Sequence, residues 1–336
     1  MTINIPEPSW NSPLTGAILE LEQLRRQRLY SKVPPYIFFQ LKEIFQLLET
    51  LGSARIEGNN TTLSEYVEKI IEKNSTVDET RQELENIEEA IGFIEDNTNE
   101  DTKIDRAYIS HLHNIVVQKL TPPPRGEGSK YPGELRKDNV EINGANHVPP
   151  TVSVLKDRFD EFIEFIANPV GEQNQLLMVA IAHHRFMHIH PFDNGNGRMG
   201  RLLNYALLIK LGFNVKAGRI INPSSVFYTD RDKYYEMLGL ADSLNDSDLL
   251  QWSEYFLNGL TNQIHKIDGL MNIDYVQEHI LLPTLKIALD RENKMVMPIE
   301  DGGRIYTIRF ANNYLLRGIV KTLKDNGFVA EFLNSN

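Results

Sequence analysis

Apolar residues recur along this chain at helical spacing in one segment after another. Ser12-Pro13 opens the first, with proline just inside a helix start, where its missing N–H costs nothing. Leu14, Ile18, Leu21, Leu24 and Leu29 form its stripe. Pro34-Pro35 separate it from a second helix carried by Ile37, Leu41, Ile44, Phe45, Leu47 and Leu48. Thr62 to Glu65 spells a capping box for a third. Further helical patterns cover about 79–96, 105–119, 153–167, 173–189, 195–211, 229–242 and 247–270. Residues 121–128, Thr-Pro-Pro-Pro-Arg-Gly-Glu-Gly, are loop. Val140 and Ile142 alternate with polar residues and run into Asn-Gly, which predicts a β-hairpin over 132–144.

The pattern changes near residue 271. Tyr275 to Asp290 reads as helix, Arg304 to Phe310 alternates like a strand, Asn312 to Asp325 is helical again, and Phe328 to Leu333 fits a last strand. This order resembles a winged helix-turn-helix. The expected division is an N-terminal helical region at 1–100, a core at 101–270 and a small C-terminal α+β domain at 271–336. The expected class is mainly α, with the hairpin as its only strands before that domain.

Composition narrows the function classes. Hydrophobic content of 41% and charged content of 24% over 336 residues are those of an ordinary globular chain. A net charge of -11 argues against indiscriminate binding to nucleic acid or anionic membrane. Without cysteine there are no disulfides or thiolate metal sites. The N-terminus lacks the basic start and apolar run of a signal peptide, and no stretch approaches the ~20 apolar residues of a membrane span. The expectation is a cytoplasmic protein. Residues 275–336 carry eight Lys/Arg against seven Asp/Glu, a weak basis for DNA binding that leaves protein contact or homodimer support equally open.

Chemistry concentrates in residues 190–201, His-Pro-Phe-Asp-Asn-Gly-Asn-Gly-Arg-Met-Gly-Arg, between two apolar helices. Gly195 and Gly197 let backbone N–H groups approach a ligand, and Asn196 adds a side-chain donor. Free N–H groups and the dipole at a helix start form an anion site that includes Met199 and Gly200. Arg198 and Arg201 are three apart and share one face, which suits a di- or triphosphate. His190 stands just before the loop as a general base.

This segment resembles the active-site motif of the Fic family, His-x-Phe-x-(Asp/Glu)-Gly-Asn-Gly-Arg-x-x-Arg. The likeness extends to the preceding helix, with His184, Phe186 and Ile189, and to Gly133, Arg136, Val140 and Ile142, similar to the family's flap over the site. It also extends to Ser53-Ala-Arg-Ile-Glu57-Gly58, similar to the inhibitory motif (Ser/Thr)-x-x-x-Glu-(Gly/Asn). The resemblance covers roughly residues 10–270 and implies a Fic helical fold. It also implies transfer of AMP from ATP, with Mg²⁺, to a Tyr, Ser or Thr hydroxyl of a target protein. His190 would take the proton, Arg198 would stabilise the α/β region and Arg201 the γ-phosphate. The flap would position the target, while Phe227 and Tyr235 lie where the family flanks adenine. Glu57 would compete for Arg201 as an N-terminal inhibitor. The family's acidic metal ligand is replaced by Asn194, with Asp193 one place earlier, so both are candidate Mg²⁺ contacts and weaker Mg²⁺ dependence is expected.

Other readings stand beside these. Removal of AMP from a modified protein, with Glu57 orienting a water, would make Glu57 required rather than inhibitory. A nucleotide-sensing regulator acting through residues 271–336 would bind ATP without transferring label. Glu57 and Arg136 also suit plain solvated side chains, and Phe192 a core anchor. His184 and His188 stand one helical turn apart as in a zinc helix, but no third ligand of the usual kind is near them in sequence, so packing is the reading for His183, His184 and His188.

Overall fold

The computed structural model describes residues 3–26, 35–63, 65–66, 78–142, 144–168, 171, 174–214 and 219–270. Among these the architecture is helical: α1 (Pro13–Arg26), α2 (Pro35–Ile56), α3 (Glu79–Asn97), α4 (Arg106–Val117), α5 (Val152–Ala167), α6 (Gln175–Ile189), α7 (Asn196–Lys210), the short α8 (Ser225–Tyr228), α9 (Arg231–Ala241) and α10 (Asp246–Leu270). Local chemistry sets several boundaries. Asp78 caps α3 by accepting from the Arg81 N–H at 2.8 Å, and Asp105 caps α4 by accepting from Tyr108 N–H at 3.0 Å. Thr62 and Glu65 form the expected box, each side chain accepting the other's backbone N–H, at 2.8 and 3.2 Å.

Two central helices position the site. In α6 every residue from Leu176 to His184 is buried, as is every residue of α7 from Asn196 to Ile209. A helix apolar or enclosed on all sides must be surrounded by others. α6 packs against α7, α5 and α10, and α7 also meets α2, α3 and α4, while α1 covers α10. Trp252 on α10 is fully buried and donates its indole N–H to Ala180 O on α6 at 2.7 Å. Placing such a large side chain in the core is tolerable because its one polar atom is satisfied. No helix among the described residues is long and apolar enough to cross a membrane.

The mainly α expectation needs correction in its β parts. Among the described residues there is no strand, so the hairpin over 132–144 does not form. Residues 132–142 and 144–150 run as loop and turn. Gly144 has φ +77° and Ala145 N–H bonds Ile142 O at 3.1 Å, so the turn exists without the ladder. The backbone is held in another way. Arg136 is buried, its N–H bonds Pro191 O at 2.9 Å, and its guanidinium donates to the carbonyls of His190 at 2.8 Å, Asp138 at 2.9 Å and Pro150. Val140 and Ile142 are only half-buried, too little apolar area to hold an isolated two-stranded ribbon. The winged-helix-like α+β domain expected at 271–336 lies outside the described residues, and the described fold includes no such layer.

Candidate active site

The loop between α6 and α7 is held by its own hydrogen bonds and ring packing. His190 ends α6 in the left-handed region, φ +50°, and Gly195 caps α7 at φ +77°. Phe192 is buried and stacks on His113 of α4, ring centroids 3.7 Å apart and planes 6° apart. The Asn196 side chain closes both polar groups of Phe192, accepting from its N–H at 2.9 Å and donating to its C=O at 2.8 Å. One amide N–H of Asn196 is thereby committed to Phe192. His113 Nδ1 accepts from Gly133 N–H at 2.9 Å, so its Nε2 carries the hydrogen and donates to Asn194 O at 3.1 Å. Gly133 and Arg136 therefore serve as anchors between the 132–150 segment and the motif loop. Val140 and Ile142 lie along that segment.

Both arginines are buried and both meet carboxylates. Arg201 donates to Ser53 Oγ and Ser53 O, each at 2.9 Å, and to Glu57 Oε1 at 2.6 Å. Its side chain is 1% exposed and that of Glu57 28%. Glu57 is set there by the end of α2. Gly58 N–H bonds Arg55 O and Asn59 N–H bonds Ala54 O, a Schellman closure that needs the left-handed φ of +106° at Gly58. Asn59 then donates to Glu83 at 2.8 Å and ties this end to α3. Gly197 accepts the carboxylate at close range: a Cβ there would lie 1.9 Å from Glu57 Oε1. The first turn of α7 thus already holds an anion. Arg198 lies 3.1 Å from Glu83 Oε1 and donates to Glu127 O at 2.7 Å and Oε2 at 3.2 Å. Arg201 Nη1 and Arg198 Nε are buried with no hydrogen-bond partner among the described residues, which leaves donors for a further anionic atom.

The charges set protonation states. Burial lifts the Glu57 carboxyl, but Arg201, with Arg198 and His190 behind it, outweighs that and holds it below its usual range. Burial, with Arg136 nearby, pushes His190 down to about 4, against the lift from the Met187 carbonyl and Glu57. Its imidazole is neutral at pH 7, and Nδ1 lies 3.3 Å from Met187 O, a carbonyl that can only accept. Nδ1 therefore carries the hydrogen and Nε2 is the free base.

The metal candidates do not present a free carboxylate. Asp193 accepts from Ser129 Oγ at 2.5 Å and Lys130 N–H at 2.8 Å. Asn194 accepts from Gly195 N–H at 2.8 Å and faces Gly126 O at 3.4 Å. Asp193 is thus engaged by residues 129–130, and Asn194 brings an amide oxygen without charge where Mg²⁺ prefers a carboxylate together with phosphate oxygens.

The aromatic candidates divide. Phe227 is fully buried among His183, Tyr234, Trp252 and Phe256 and is core. Tyr235 is 43% exposed, with Arg231 over its ring at 5.5 Å. Met199 is buried in the core, and Gly200 O bonds His183 Nδ1 at 3.2 Å. Sequence reading missed Glu49, Glu83, Glu127 and His113. Three carried a signal. Glu49, Glu83 and His113 stand four residues from Phe45, Ile87 and Ile109 and so interrupt apolar stripes. Glu127, between two glycines of a loop, carried none. Glu49 is buried beneath the site, accepting from Ser224 Oγ at 2.5 Å and N–H at 3.0 Å.

The Fic/DOC family matches residues 103–208, so a Fic/DOC domain is present. The protein adenylyltransferase Fic of Drosophila willistoni is 31% identical over 197 residues, and that of Drosophila erecta 30%, each match covering 56% of this chain and 36% of the relative. The chain thus spans about a third of the length of these relatives. A Fic family protein from Desulfovibrio desulfuricans G20 superposes with a TM-score of 0.63 at 20% identity, covering 96% of this chain and 89% of that one. Fic-1 from C. elegans gives 0.60 at 18%, covering 78% and 73%.

Proposed function

We propose that the Fic/DOC domain of this chain moves AMP from ATP onto a Tyr, Ser or Thr hydroxyl of a target protein, and that Glu57 holds it inhibited. The observation carrying this reading is the 2.6 Å bond between Glu57 and Arg201 at the first turn of α7. A γ-phosphate needs the same guanidinium and the same approach over Gly197, so carboxylate and nucleotide compete for one place. With Glu57 displaced, the α7 N-terminus, Arg198 and Arg201 gather the triphosphate charge. Transfer of this kind is mainly positioning and charge neutralisation. His190 Nε2 takes the target hydroxyl proton, the oxygen bonds the α-phosphorus, and the bond to pyrophosphate breaks. The negative charge of bound nucleotide raises His190 toward neutrality, where a base is most effective. Any Mg²⁺ arrives on the phosphates rather than on a carboxylate of the loop. The segment held by Arg136, adjoining His190 O, is the target side.

The test uses α-labelled ATP with wild type, Glu57→Gly, His190→Ala and the double variant. Label on Glu57→Gly alone, on itself or on a lysate protein, is the expected result. Equal labelling of wild type and Glu57→Gly removes the inhibitory role, and labelling by the double variant removes His190 as base.

A further inference from the structure

The fold gives His188 two neighbours that chain order does not place beside it. The segment ending at Pro150 lays His147 on His188, ring centroids 3.8 Å apart and planes 30° apart. The C-cap of α9 brings Asp242 to the same place. One ligand atom from each of His147, His188 and Asp242 lies within 4.8 Å of the other two. We propose that these three residues bind a divalent transition ion that favours imidazole with carboxylate, Zn²⁺ being the type.

The contacts around the trio are those of a site whose ligands are oriented from outside. His147 Nε2–H donates to His188 O at 2.8 Å, which leaves the Nδ1 lone pair for an ion. His184, fully buried, donates Nε2–H to Asp242 Oδ1 at 3.0 Å, which steers the carboxylate and leaves its second oxygen. Such outer partners fix tautomer and ring direction at bound metals. The His188 ring has no hydrogen-bond partner among the described residues. In a tetrahedral site with bonds of about 2.0–2.1 Å, ligand atoms stand ~3.4 Å apart. With the three atoms within 4.8 Å of one another, closing the trio asks for a contraction of at most about 1.4 Å, which His147, on a loop, can supply. All three residues are half-buried, so water can take the fourth position. Two nitrogens and one carboxylate disfavour Mg²⁺ and Ca²⁺, which select oxygen. The chain has no cysteine to compete for the ion. Bound there, the ion would join the 132–150 segment to α6 two residues before His190 and to α9, so it would stiffen the wall of the candidate active site.

Zn²⁺ is titrated calorimetrically into the full chain, and Co²⁺ is followed by its visible absorption. Wild type, His147→Ala and Asp242→Asn are compared. His147→Ala lies on the loop, outside the helical core, and Asp242→Asn keeps an acceptor for His184, so both should fold, with melting without metal as the check. One equivalent bound by wild type, a tetrahedral Co²⁺ spectrum, and weakening of roughly tenfold or more in both variants is expected, since even an outer partner is worth ~10–100-fold. Mg²⁺ should not reproduce the effect. No stoichiometric binding by wild type, or equal binding by all three proteins, overturns the proposal.

Discussion

Replacing Glu57 by glycine should tighten ATP binding by a predictable amount. The change removes one charge-assisted bond of 2.6 Å between a buried guanidinium and a carboxylate that is 28% exposed. It leaves both Ser53 bonds to Arg201 in place, so the receptor group stays where it is. A bond of this type contributes about 1.5–3 kcal/mol net. A nucleotide that must displace Glu57 sees its affinity lowered by the fraction of molecules left open. Taking 2–3 kcal/mol for the closed state, ATP should bind roughly 30- to 150-fold more tightly once Glu57 is gone. Calorimetry in a His190→Ala background measures this without turnover. AMP has no γ-phosphate to place at Arg201 and should gain only a few-fold. Glu57→Gln still accepts a hydrogen bond without the charge and should fall between wild type and Glu57→Gly. An equal gain for AMP and ATP, or none for ATP, would refute competition at Arg201.

Three further outcomes follow from other contacts. His113→Phe keeps the stack on Phe192 but strips partners from Gly133 N–H and Asn194 O, so urea unfolding should show a loss of about 1–3 kcal/mol, and an unchanged midpoint contradicts the anchoring role. Burial lifts Glu49 from 4.5 to about 7, with Ser224 and Arg201 restraining it. In that window the folded chain keeps a proton that the unfolded chain has lost, so stability falls as pH rises. Glu49→Gln should remove up to about 3 kcal/mol of that fall, and parallel pH profiles for the two proteins would show that Glu49 is not its source. In the Glu57→Gly background, Asn194→Asp should lower the Mg²⁺ concentration that half-saturates label transfer, and an unshifted titration counts against a metal role for this position.

The helices were readable because their causes are local. The 3.6-residue stripe, the Asp78, Asp105 and Thr62/Glu65 caps, and the glycines of 195–197 act within a few residues of themselves. Interrupted stripes at Glu49, Glu83 and His113 were visible as anomalies, but an anomaly does not name its partner. The hairpin was misread for the related reason that alternation at Val140 and Ile142 becomes strand only when another backbone pairs with it. Arg136 instead ties Asp138 O and Pro150 O, on either side of that pair, to the motif loop.

The sequence by itself determined the helical segments, the motif loop and the chemical types gathered at 190–201, because backbone preference and side-chain identity are properties of neighbours along the chain. Only the tertiary structure decided which charge each arginine meets. Glu57 stands 144 residues from Arg201, Glu83 and Glu127 reach Arg198 from α3 and a loop, and His147 and Asp242 converge on His188 from two further elements. Such pairings depend on distances of a few ångströms that arise when α2, α3 and α9 pack around α6 and α7, and Coulomb and hydrogen-bond energies fall away too steeply with distance for chain order to reveal them.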